Sequence, residues 1–370
     1  MPSPESTPGR LRKSIVVSSL AAVAIYGGVR IGQLTDSRDA PKCAAVATSF
    51  DLEAVEELFT TRPKEDADYR DYGLHFYGNV QTLMDLSGYG PEPEDRPQFS
   101  RYLGSARELL NRYGVSVILK KPDDEYEGTT PTSTELQTIE AQSAVKELIE
   151  GLMRFPAEYI HLAGLKKVVL TSGIKPDAYA VTDHQHDTVV VNLSNGSGYW
   201  EGGQDIRHEL FHLVDAKLCG PEGMKNDPEY EALNDGKDIY GSDKTKVIPF
   251  EEYFINRQER EQRMKEALRN YDKGTYCELE QQGIKEAKQV AAESWYSLTD
   301  AVEDKAEMGT NFYAGPYSYE IIEATKSPVY KNKFHLLMAR IYHVAPNIVR
   351  YFAASRRISP MPKPAYDCDK

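Results

Sequence analysis

The stretch DIRHELFHLVDAK, residues 205–217, constrains this chain more than any other. Leu210, Phe211, Leu213 and Val214 recur at helical spacing, so the segment reads as a helix with a buried face. Residues four apart lie one turn above each other on a helix. His208 and His212 therefore present two imidazoles to one point. Zinc binds imidazole nitrogens readily, and a catalytic zinc site uses three protein ligands and keeps a fourth position open. Glu209 lies about 100° round the helix from His208. From there its carboxylate reaches a water in the open position without becoming a ligand itself. The motif thus predicts one Zn2+ on His208 and His212, with Glu209 as general base.

The third ligand sets the subclass. The continuation H-E-x-x-H-x-x-G-x-x-H fails, because Asp215 and Leu218 stand where Gly and His are required. The alternative is a carboxylate from a later helix, the gluzincin arrangement. SWYSLTDAVEDKAEMGTNF, residues 294–312, offers Glu303 and Glu307 one helical turn apart. Glu303 is the expected ligand. Glu307 is then the carboxylate that accepts the free N–H of a ligand histidine and fixes its tautomer. Two other readings stay open here. Asp300 and Glu303 also stand at the N-cap and N3 positions of a capping box, and Asp238 in NDGKDIYGSD is a competing ligand. Tyr296 carries a phenol suited to donating a hydrogen bond to the oxyanion of a tetrahedral intermediate.

With 370 residues, 40% hydrophobic and 27% charged, the chain has enough apolar side chain for one or two domains with a real core. Its net charge of −13 argues against nucleic acid as a partner, because such binding needs a basic footprint. Arg10, Arg12 and Lys13 precede the apolar run SIVVSSLAAVAIYGGV, residues 14–29. Residues 1–34 accordingly read as a signal peptide or a single N-terminal membrane anchor, with the folded part exported. Four widely spaced cysteines, with no C-x-x-C, suit that compartment as two disulfides. Cys219–Cys277 and Cys43–Cys368 are the expected pairs.

Residues 35–96 read as a linker and a small helical region, ending in the Gly-, Pro- and acid-rich SGYGPEPEDRPQ. From residue 97 to 356 the order is helix, strand, helix, strand, strand, then helices. That is an α+β pattern, with a small mixed sheet and a mainly helical C-terminal half. The charged run at about 243–290 reads as solvated helix, and 357–370 as a tail. DHQHD, residues 183–187, reads as a solvated hairpin loop, with His184 and His186 lacking a metal partner.

RHELFHLVD, DPEYEALND…YG, SWYSLTDAVEDKAE and SPVYKNKF together resemble the zinc-binding metallopeptidases related to the catalytic domain of anthrax lethal factor. Those proteins read H-E-x-x-H-x-x-D, then D-P-E-W-x-x-L-N, then Y-x6-E-D-x-A-E. The resemblance covers about residues 100–356, and the charged segment 243–290 departs from it. It implies a zincin-like (gluzincin) fold, with zinc on His208, His212 and Glu303 and with Glu209 as base. Asp215 and Glu307 would orient the ligands from behind, and Tyr296 would be the catalytic tyrosine. It further implies that a strand of Thr188, Val189, Val190, Val191 and Asn192 pairs with an extended peptide or protein substrate. The expected function is zinc-dependent peptide-bond hydrolysis. The alternative is an inactive zincin-fold module that binds or builds structure at the cell surface. Retention of both Glu209 and Tyr296 weighs against that alternative.

Overall fold

The computed structural model describes residues 43, 47–60, 98–122, 126–174, 178–194, 203–241, 247–292, 294–312, 327–355 and 368. The proposed leader or anchor of residues 1–34, the segment 87–97 and most of the tail lie outside the described residues. Among those described, no helix is long and apolar enough to cross a membrane.

The first half of the chain contains α1 (Ser49–Thr60), α2 (Gln98–Asn111), β1 (Ser116–Leu119), α3 (Ile139–Met153), α4 (Ala157–Ala163), β2 (Lys167–Thr171), β3 (Ala180–Asp183), β4 (Thr188–Asn192) and α5 (Gln204–Lys225). The second contains α6 (Pro228–Glu231), β5 (Ile248–Pro249), α7 (Phe250–Arg269), α8 (Lys273–Ala287), β6 (Val290–Ala292), α9 (Ala301–Thr310), α10 (Pro328–Val344) and α11 (Pro346–Ser355). The architecture is α+β, with a small mixed sheet and helices making up most of the rest.

The sheet runs β1-β2-β4-β3, with β1, β2 and β4 parallel and β3 antiparallel to β4. Val168, Leu170, Val189 and Val191 turn one face into the main core with the helices. Val169 and Val190 turn the other face into a smaller cluster with Tyr126 and Ile174. This corrects the expectation for residues 188–192. β4 is fully buried and hydrogen-bonded on both sides, by β2 and β3, so it offers no edge to a peptide. The run VVV already signals this, because a strand covered on both faces loses its polar alternation. The edge strands are β1 and β3, and the one that flanks β4 is β3, whose sequence AVTD carries polar residues.

The helix α5 starts at Gly203, whose φ of +75° is left-handed. A Cβ there would overlap the carbonyl of Glu147 and the backbone of Gly151, so only glycine lets α5 begin against α3. Gly220 interrupts the helix with φ +72° just before Pro221. The charged segment forms a helical hairpin, α7 and α8, held by the Arg260–Glu286 ion pair at 2.5 Å. Its ends leave and return through β5 and β6, which pair in parallel as Ile248 with Val290 and Pro249 with Ala292. The N-terminal helix α1 packs on α10, and its Val55 belongs to the main core.

All four cysteines are paired, but as Cys43–Cys219 and Cys277–Cys368, which corrects the expected connectivity. The first bond ties the chain before α1 to the helix bearing the two histidines, and the second ties α8 to the C-terminal tail. Two disulfides fit a chain that folds in an oxidising compartment.

Candidate metal centre

The helix α5 buries Ile206, Leu210, Phe211, Leu213 and Val214 and thereby fixes the rotation of His208 and His212. The helix α9 crosses α5 at Gly309, where any side chain would overlap the ring of Phe211. Arg207, buried on α5, donates from Nε to the carbonyl of Thr310 at the end of α9, 3.0 Å away. A cation at the negative end of a helix stabilises it there. Asp300 caps the start of α9 by accepting from the amides of Val302 and Glu303 at 2.8 and 2.9 Å. Asp300 does act as the N-cap, but the side chain of Glu303 does not reach back to complete a capping box. It turns to the histidines instead.

Three donor atoms converge. His208 Nε2 lies 2.9 Å from Glu303 Oε2, His212 Nε2 lies 3.0 Å from His208 Nε2, and His212 Nε2 lies 3.5 Å from Glu303 Oε2. Donors at the corners of a tetrahedron with arms of about 2.0–2.1 Å sit about 3.3–3.4 Å apart. The observed triangle is close to that size. Tyr296 stands beside the triangle, and Glu209 is near enough for the charges of both histidines to act on it. His208 Nδ1 bonds Glu307 Oε1 at 2.8 Å, a contact that would hold the ring proton on Nδ1 and give Nε2 to a metal once one is bound.

The electrostatics favour a cation at this point. Burial opposes charge on His208, but hydrogen bonds and charge from Glu303 and Glu307 outweigh it and raise its pKa well above the usual range. Burial would raise Glu303 as well. Hydrogen bonds from His208 and His212 outweigh that and keep Glu303 ionised, with its pKa below the ordinary carboxylate range. Two imidazoles and an ionised carboxylate form a donor set that zinc accepts, so the residues fit the metal. The second cluster of ligand-type atoms among the described residues is Cys43, Cys219 and Asp227. Its sulfurs are joined in a disulfide and its carboxylate is held by Arg340, so it is not free for a metal.

Glu209 is half-buried, and burial raises its pKa despite the two histidines. Its Oε2 accepts from Thr182 Oγ1 on β3 at 2.7 Å. Tyr296 sits in a short 3-10 turn just before α9, with its ring centre 5.7 Å from that of His208. Burial of the phenol, the charges of Glu303 and Glu209, and a hydrogen bond to Glu303 raise its pKa. Tyr296 is nevertheless 44% exposed, next to exposed Trp295, so it stands at the mouth of the centre.

Other expected residues stand elsewhere. Asp215 touches neither histidine. It forms a buried ion pair with Lys305 at 2.6 Å, so it orients α9 rather than a ligand. Asp238 lies outside the converging group. His184 is not in a wholly solvated loop. Its ring stands nearly perpendicular to that of His212 at 6.3 Å, and burial followed by the neighbouring His212 pushes its pKa down to about 4. His186 is exposed and bonds Asp183 through Nδ1 at 2.6 Å.

Behind α9 lies a buried ionic layer that the sequence does not announce. Lys305 also reaches Asp227 at 3.2 Å, and Arg340 grips Asp227 with two bonds of 2.6 and 2.9 Å. Lys333 meets Asp304 at 2.6 Å, where Tyr230 and Tyr240 also donate. No spacing rule marks these residues. The one signal was Asp304 and Lys305 standing on α9 beside the two expected acids. No family model, no curated protein and no solved structure matches this chain.

Proposed function

We propose that this chain is a zinc-dependent peptidase of gluzincin type, exported from the cell that makes it. The observation that carries the reading is the triangle of His208 Nε2, His212 Nε2 and Glu303 Oε2 with Glu307 behind His208. Zinc held by these three residues supplies Lewis acidity, which makes water a nucleophile near neutral pH and polarises a scissile carbonyl. Glu209 takes the proton of the attacking water and passes it to the leaving amine. Its raised pKa suits a group that must both accept and return a proton. Tyr296, protonated at neutral pH, donates to the oxyanion. Glu307 keeps the proton of His208 on Nδ1, away from the ligand nitrogen.

The substrate is an extended peptide, added along the outer edge of β3 (Ala180–Asp183), with which no strand pairs among the described residues. The disulfides and the basic-apolar N-terminus support export.

The test is metal analysis and cleavage of a peptide library by the wild type, Glu209→Gln and Glu303→Ala, with and without chelator. Glu209→Gln is expected to keep its zinc and lose at least about a hundredfold in kcat. Glu303→Ala is expected to lose both zinc and cleavage. Full zinc occupancy in Glu303→Ala, or cleavage indifferent to chelator, would sink the assignment.

A further inference from the structure

The side-chain hydroxyl of Thr182 contacts no ligand histidine, yet it lies 2.7 Å from Glu209 Oε2 and 2.8 Å from the backbone carbonyl of the same residue. A hydroxyl carries one proton to donate. With Glu209 ionised, that proton is drawn to the charged oxygen, where the bond is the stronger. Among the described residues, Glu209 Oε1 takes no hydrogen bond. The contact therefore ties one carboxylate oxygen to the strand and leaves the other without a hydrogen bond among the described residues.

Thr182 is itself held still. It is β-branched, with few rotamers open to it in a strand. Its carbonyl accepts from the hydroxyl of Tyr126 at 2.9 Å, and its neighbours pair with β4 in register. The donor aimed at Glu209 is thus a preorganised group on the sheet edge, not a swinging side chain. It also stands on the strand along which the substrate lies.

We propose that Thr182 is a positioning residue, which holds the carboxylate of Glu209 in the orientation for proton transfer and links peptide docking on β3 to that orientation. The inference rests on the peptidase reading above and adds a residue that neither metal motif contains. It predicts that the hydroxyl matters to turnover while zinc and substrate binding do not depend on it.

The experiment compares the wild type, Thr182→Val and Thr182→Ser in zinc content, kcat and KM on a peptide cleaved by the wild type. Crystal structures of the wild type and Thr182→Val accompany the kinetics. Valine keeps the β-branched shape and puts a methyl group in place of the hydroxyl. Thr182→Val is expected to keep full zinc and a KM within about twofold of the wild type, and to lose about ten- to a hundredfold in kcat. Thr182→Ser is expected to recover most of that loss. In the Thr182→Val crystal the Glu209 carboxylate is expected to leave the strand. Wild-type kcat in Thr182→Val, a serine variant as slow as the valine one, or a Glu209 carboxylate unmoved in the valine crystal would each overturn the proposal. A wild type without zinc or chelator-sensitive cleavage would instead overturn the peptidase reading. The two crystal structures would still decide whether Thr182 orients Glu209.

Discussion

The helix α5 is held between two halves made of opposite materials. Toward the sheet it packs through Ile206, Leu210 and Val214, in one apolar core with Val168, Val189 and Val191. On its other side its Asp215 faces Lys305 of α9, which shares Asp227 with Arg340 of α10, all nearly inaccessible to solvent. Apolar packing is graded. It tolerates small shifts at modest cost, because dispersion contacts are many and individually weak. A buried ion pair is nearly all-or-none, since losing one partner strands a charge in a poor solvent. The difference matters because the metal triangle needs both halves. His208 and His212 ride on the helix that the sheet supports, whereas Glu303 and Glu307 ride on the helix that the ion pairs orient.

The comparison breaks most easily at Lys305. Lys305→Met leaves Asp215 without its cation, and a loss of about 3–5 kcal/mol is expected in chemical denaturation. A marked fall in zinc affinity should accompany it, because Glu303 lies half a turn away on α9. A variant as stable as the wild type, or one with unchanged zinc affinity, would mean that the ionic layer does not orient α9.

On the sheet side, Leu210→Ala opens a cavity and should cost about 3 kcal/mol, near the middle of the range for buried leucines. Zinc affinity should fall far less than in Lys305→Met when both are measured well below their unfolding midpoints. Equal losses of affinity would erase the distinction between the halves.

The smallest of the three effects is a pH dependence. Burial raises the pKa of Glu147, on α3 at the sheet side, to about 7, against hydrogen bonds from Tyr179 and Ser143. A carboxyl with a raised folded pKa binds its proton more tightly when folded, so it favours folding at low pH. That support fades as pH rises from about 4.5 to about 7, by about 1–2 kcal/mol once solvent screening of this partly buried group is counted. For Asp227 on the ionic side, burial is outweighed by Arg340 and Lys305, and its pKa falls. Its contribution is present above the ordinary aspartate range and is lost only in stronger acid. Glu147→Gln should therefore flatten the decline between pH 5 and 8 and leave the acid limb intact, as read from melting temperature against pH. A decline that persists in Glu147→Gln would sink the assignment.

The two halves were unequally legible in the sequence. The converging triangle was readable because helical geometry turns a spacing of four into proximity, for His208 with His212 and again for Glu303 with Glu307. The substrate edge was misassigned because the run Val189–Val191 is strongly strand-forming, and that strength marks a strand covered on both sides. Thr182 could not be seen at all. Its place beside Glu209 comes from the antiparallel return of β3 along β4, a tertiary fact without a local signature. Lys333 and Arg340 look like surface charges in a helix, and only tertiary packing turns them inward, Lys333 to Asp304 on α9 and Arg340 to Asp227 and Glu229 at the start of α6. The disulfide partners were equally hidden, since spacing alone does not choose among pairings.

The hairpin α7–α8 departs at Ile248 and comes back at Val290, and those two residues are neighbours across a parallel pair of strands. From the position of the metal centre, the connection has the reach of a short loop whatever hangs beyond the clamp. Loop closure depends only weakly on length, and here the ends are closed by their own strands. The clamp thus works as a socket. Changing the length of the hairpin beyond the clamp is expected to leave Glu303 in register with His208.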